Sequence, residues 1–168
     1  MHAMNDAFLE AVRDADWSSA YRLASVEGMS VFGNESPGDL INRLIDMDAP
    51  SRLTVRLVGL CVDNKIDVNQ LSLLETCMRE PSYKENAYVT FCELLKQGLD
   101  PNLHGNGGFT LLQIGLELNR AREVKKLLEF GADIHKKSLH WEESTSAAED
   151  AVTSMNEASR IILNESAR

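Results

Sequence analysis

A helix-ending punctuation mark recurs every 33 residues in this chain, and it restricts the fold more than any other feature. The two clear copies read Phe91-Cys92-Glu93-Leu94-Leu95-Lys96-Gln97-Gly98-Leu99-Asp100-Pro101-Asn102 and Val124-Lys125-Lys126-Leu127-Leu128-Glu129-Phe130-Gly131-Ala132-Asp133-Ile134-His135. A degraded copy runs from Val58 to Asn69. Val58, Phe91 and Val124 share one position of the period, Cys61, Leu94 and Leu127 a second, and Asp67, Asp100 and Asp133 a third. Apolar residues at i, i+3 and i+4 mark one face of a helix that must pack on a neighbour. Gly98 and Gly131 follow where a left-handed C-cap is cheap for glycine, and Asp and Asn then supply turn chemistry. Lys65 holds the glycine position in the first copy, so that cap is expected to be less regular.

A shorter helix precedes each of these. Thr110-Leu111-Leu112-Gln113-Ile114-Gly115-Leu116 opens with an N-cap threonine, and Ser72-Leu73-Leu74-Glu75-Thr76-Cys77-Met78 has the same form. Gly105-Asn106-Gly107-Gly108 reads as a hairpin tip. It lacks the Lys and Ser/Thr of a phosphate-binding loop. Only a short connection joins Asp67 to Ser72, so the middle finger is shortened, while Arg79 to Asn86 lengthens the following turn.

Further pairs are expected at both ends. Phe8 to Val12 and Asp16 to Ala24 form one, and Leu40 to Met47 and Leu53 to Val62 another, divided at Pro50, with the Asp48/Ser51 region able to cap. A last pair starts at Ser144 to Glu149 and continues at Glu157 to Leu163, with Ile161, Ile162 and Leu163 as core candidates.

The chain resembles the ankyrin repeat family, whose period is about 33 residues with two antiparallel helices per repeat. Leu127-Leu128-Glu129-Phe130-Gly131-Ala132-Asp133-Ile134-His135 follows that family's second-helix ending closely. Thr110 to Gly115 keeps the Thr and second Leu of its first-helix motif, with Gln113 for His and Gly115 for Ala and no Pro. The resemblance covers residues 58–135. It implies an all-α, ankyrin-like solenoid of about five antiparallel helix pairs joined by short hairpin loops. One domain would span 1–168: atypical N-terminal pairs over 1–57, recognisable repeats over 58–135 and a C-terminal capping pair over 136–168.

Composition limits the function. Of 168 residues, 43% are apolar and 26% charged, values that argue against wholesale disorder. The net charge is −9, and six of those charges fall within residues 1–50. Phosphate binding needs a cationic face, so nucleic acid is not the expected ligand. The acidity reads either as a solvated terminal face or as a docking surface for a cationic protein. The opening residues look like neither a secretory signal nor a transit peptide, and the apolar runs are short, so no membrane association is expected. Cys61, Cys77 and Cys92 are widely spaced and odd in number, which fits buried thiols in a reducing cytoplasm.

No catalytic constellation emerges, and no cofactor is implied. His104, His135 and His140, with Glu142 and Glu143 nearby, fit no zinc spacing; His135 stands at the Asn position of the repeat, a turn role. Cys92 sits on an apolar face and reads as packing.

By resemblance, ankyrin proteins bind other proteins with hairpin tips and exposed first-helix positions. This implies partner-binding roles for Leu71, Arg79 and Glu80; for Asn106, Phe109, Glu117 and Leu118; and for Glu142, Glu143, Thr145 and Thr153. Phe109 and Trp141 are either exposed anchors or packing for neighbouring segments. The expected function is that of a monomeric, non-enzymatic module that sequesters or inhibits a partner protein, a basic one by charge. Size and acidity resemble the immunity proteins that neutralise bacterial toxins. The alternative is an ankyrin-type scaffold, adaptor or host-directed effector with several weaker partners.

Overall fold

A computed structural model describes residues 2–82, 84–139 and 144–167, with the side chains of residues 2–5 and 71 also outside the description. Among the described residues the chain is all-helical, with ten α-helices and no strand. None is long and apolar enough to cross a membrane. The residues pack as two compact units, Met1–Glu93 and Leu94–Arg168.

The first unit holds α1 (His2–Arg13), α2 (Trp17–Glu27), α3 (Pro37–Asp46), α4 (Ser51–Asp63), α5 (Leu73–Arg79) and most of α6 (Glu85–Lys96). Helices α1 and α2 pack together, as do α3 and α4; α2 also lies on α4, and α3 on α5. Phe8, Ala20, Ala24, Leu40, Ile41, Leu44, Leu53, Leu57 and Val58 are fully buried. These positions follow the three-to-four spacing that gives each helix one apolar face. Two 3-10 turns, Gly28–Phe32 and Val68–Leu71, were not anticipated. The first carries Val31 and Phe32 into the core. Thr54 on α4 and Thr90 on α6 are buried and share a hydroxyl–hydroxyl hydrogen bond of 3.1 Å.

The second unit holds α7 (Leu111–Glu117), α8 (Ala121–Glu129), α9 (Ala147–Thr153) and α10 (Glu157–Ser166). Helix α7 packs on α8 and α9, and α10 packs on α8 and α9.

The 33-residue period is visible as geometry. Val58, Phe91, Val124, Cys61, Leu94 and Leu127 are all 0% exposed. After each of these helices the backbone closes a 6→1 bond: Ile66 N–H to Cys61 C=O (2.9 Å), Leu99 to Leu94 (3.2 Å) and Ala132 to Leu127 (3.0 Å). The Asp side chains then accept from the backbone two residues on, Asp67 from Asn69 (3.0 Å), Asp100 from Asn102 (2.8 Å) and Asp133 from His135 (2.8 Å).

Lys65 departs from the sequence expectation. It takes φ +61°, beside +93° at Gly98 and +87° at Gly131, and makes the same turn. The hydrogen bonds and the buried Cys61 outweigh a left-handed penalty of about 1 kcal/mol.

Other cap expectations fail for local reasons. Ser72 makes no side-chain cap. The Val68–Leu71 turn runs straight into α5 and leaves Ser72 at φ +53°, where its carbonyl accepts the Thr76 hydroxyl. Neither Asp48 nor Ser51 caps α4: Asp48 lies at φ +55°, Pro50 holds the N-cap position and Ser51 is already helical. Of Ile161, Ile162 and Leu163, only Ile162 is core; Ile161 is half-buried and Leu163 exposed, because consecutive helical residues point 100° apart.

Candidate functional site

The second unit builds its most organised surface from two hairpins and the helices that follow them. His104 bridges Thr110, and Lys137 bridges Ser146. The first hairpin closes with Gly105 N–H donating to Phe109 C=O at 2.8 Å. Gly107 (φ +88°) and Gly108 (φ +79°) form its tip, and a Cβ on Gly108 would meet Leu139 Cβ at 3.1 Å. Leu139 N–H donates to Gly108 C=O at 2.8 Å, and His104 Nε2 lies 2.9 Å from Lys137 C=O, so the two hairpins run side by side.

Capping boxes start both helices. Thr110 Oγ1 accepts from Gln113 N–H and Gln113 Oε1 from Thr110 N–H; Ser146 and Glu149 repeat the exchange. The Gln113 amide, 4% exposed, reaches α9 as well. Its Nε2 donates to Thr145 C=O (3.1 Å), Thr145 Oγ1 (3.3 Å) and Asp150 Oδ2 (2.8 Å). A neutral side chain thus fixes α7 against α9 and orients a carboxylate.

Between these helices lies an open groove of about 310 Å³, lined by Phe109, Gln113, Leu116, Glu117, Asp150 and Ser154. Phe109 forms an exposed aromatic wall, with 40% of its surface open. Leu116 is buried at the floor. Glu117 is exposed on the last turn of α7.

Of the residues singled out from sequence, the groove brings together Phe109 and Glu117. Thr145 borders it through its bonds to Gln113. Thr153 is exposed on α9, its hydroxyl donating to Asp150 C=O (3.0 Å). Asn106 is exposed at the hairpin tip, and Leu118 is half-buried beyond α7. Arg79 and Glu80 belong to the first unit and have partners there: Arg79 Nε pairs with Glu75 at 2.8 Å, and Glu80 pairs with Lys84. Leu71 lies in the Val68–Leu71 turn, with its side chain outside the description. His140, Trp141, Glu142 and Glu143 lie outside the described residues.

Sequence reasoning missed Gln113, Leu116, Asp150 and Ser154. Asp150 was accessible to it, because it precedes Thr153 by three residues and so shares its helix face.

Among the described residues no cluster of His, Cys, Asp or Glu is arranged to hold a metal ion. Burial pushes the Cys61 thiol up to about 11, far from a thiolate at neutral pH. Cys77 is buried too, and Cys92 half-buried. Comparison of the chain with family models, with curated proteins and with solved structures gives no match.

Proposed function

We propose that this chain is a non-enzymatic, ankyrin-type module that binds and sequesters a cationic partner protein in the cytoplasm. The observation that carries the reading is the groove where Phe109 of the hairpin, Leu116 and Glu117 of α7 and Asp150 of α9 line one surface. In an ankyrin stack that face is the concave one, the extended surface such solenoids use for recognition. The periodic turns at Lys65, Gly98 and Gly131, the repeated Asp turns and the paired helices support the family reading. An aromatic residue at the centre of an interface is the usual energetic anchor, and carboxylates around it steer a basic protein into place. The net charge of −9 acts in the same direction. An immunity protein holding a cationic toxin is the form of this function that charge and size suit best.

The test is capture from native lysate, with the bound proteins identified by mass spectrometry. One stoichiometric partner, released at high salt and lost on Phe109→Ala, is the expected result. Several weak partners would favour an adaptor. A tight partner indifferent to both salt and Phe109→Ala would remove the groove from the interface.

A further inference from the structure

The groove between α7 and α9 carries an asymmetry that narrows what it can hold. Two of its six lining residues are carboxylates and none is cationic. Elsewhere in the unit, Glu129 is paired with Lys126 and Glu149 with Lys137. Among the described residues, Glu117 has no cationic partner. Among the described residues, Asp150 has only the neutral Gln113 amide on Oδ2 and no donor on Oδ1. The half-open Phe109 ring and the buried Leu116 line the same groove as these carboxylates, apolar surface together with negative charge.

We infer that this groove is a slot for one arginine side chain of the partner, its aliphatic stem on Leu116 and its guanidinium stacked on Phe109 between Glu117 and Asp150. This rests on the protein-binding reading above and adds the residue the partner must supply. Arginine fits better than lysine for two reasons. A planar guanidinium stacks on an aromatic face, whereas an ammonium is a compact, strongly hydrated charge. Its donors also fan out along two edges, so one cation can reach carboxylates presented by two different helices. The Gln113 bond supports the role, because it fixes the Asp150 carboxylate before any ligand arrives and so lowers the ordering cost of binding.

The test titrates the full ¹⁵N-labelled chain with the capped tripeptide acetyl-Gly-Arg-Gly-amide, up to about 20 mM, a range that detects millimolar affinity. Acetyl-Gly-citrulline-Gly-amide, which keeps the shape and loses the charge, and the lysine analogue are run alongside. The expected result is saturable shifts at the Glu117 and Asp150 amides and at the Gln113 side-chain amide, strongest with arginine and absent with citrulline. Glu117→Gln, an exposed position with no internal partner to disturb, should weaken the arginine peptide about tenfold, the worth of one charge-assisted hydrogen bond. Phe109→Ala should reduce the preference for arginine over lysine. Equal shifts from citrulline, no shifts at these residues, or a lysine response as strong as arginine's would overturn the slot. A tight partner captured through Phe109 while the tripeptide stays silent would also overturn it and leave the binding module intact. Tripeptide binding lost in Glu117→Gln supports the slot whatever the lysate returns.

Discussion

Single backbone positions carry the repeat. Gly98 and Gly131 sit at φ +93° and +87° with open space where a Cβ would be, so their cost on substitution is conformational and not steric. Changing either to Ala should destabilise the chain by about 1 kcal/mol, and Lys65→Gly should stabilise it by a similar amount, because Lys65 already holds the left-handed geometry at a penalty. Urea unfolding of the three variants checks both signs. A second residue-level effect is electrostatic. Partial desolvation at this otherwise exposed site and the neighbouring Glu80 carboxylate raise Asp46 above its ordinary value of 3.8, with Lys84 opposing. The folded state therefore holds that proton more tightly than the unfolded chain. The resulting stabilisation is complete below pH 3.8 and is lost as pH rises through the raised value. Asp46→Asn should remove this decline and leave the variant the more stable of the two at neutral pH, as read from denaturant midpoints across the pH range. Asp16, which accepts from Ser19 at the start of α2, is shifted the other way. Its contribution is present above 3.8 and is lost as pH falls through its lowered value.

Between elements, several of the ties are side-chain amides. Gln113 joins α7 to the start of α9. Asn156 donates to Leu116 C=O (2.8 Å), and Asn119 accepts from Ala158 N–H (3.2 Å), which fixes α10 to the end of α7. Asn102 donates to Gly131 C=O and accepts from Asp133 N–H, so one Asp turn is fastened to the next. Removing Gln113 leaves the buried Thr110 N–H without its acceptor and takes the shared donor from the half-buried Thr145 and Asp150 oxygens. Gln113→Ala should cost about 1–3 kcal/mol. Amide hydrogen exchange should show the loss most strongly in α9, with α8 less affected; equal loss in both would mean that the amide acts through general destabilisation. The middle loop shows a different solution to the same problem. The chain from Asp67 to Ser72 is too short for a finger, and a 3-10 turn takes its place. The longer turn after α5 reaches back instead, with Lys84 Nζ donating to Asp46 C=O and Asn86 Nδ2 to Asp48 C=O.

Across the molecule, charge would set the terms of the association proposed above. Six of nine net negative charges lie in residues 1–50, while the groove of the second unit contributes Glu117 and Asp150. Long-range attraction between exposed charges is screened over about 8 Å at physiological salt. The association rate with a cationic partner should therefore fall steeply between low and high salt while dissociation changes little, which stopped-flow mixing would show. A flat rate would assign the acidity to solubility alone. Helix positions, the left-handed turns at Gly98 and Gly131 and the Asp turns were legible from residue order because each is decided within about six residues by periodicity, glycine φ and side-chain–backbone bonds. Phe109 and Glu117 were singled out by the family resemblance, and both line the groove. The rest depended on packing. Ser72 and Thr110 look alike in sequence, yet only Thr110 caps, because the loop before Ser72 arrives already coiled. Gln113 and Asp150 are 37 residues apart and form the groove's fixed wall only once α7 and α9 are in contact. Arg79 and Glu80 are engaged in i,i+4 ion pairs with Glu75 and Lys84, a spacing legible in the sequence that the family resemblance passed over. Local chemistry placed the helices; which polar groups hold them together and which stay exposed was decided by proximity in space.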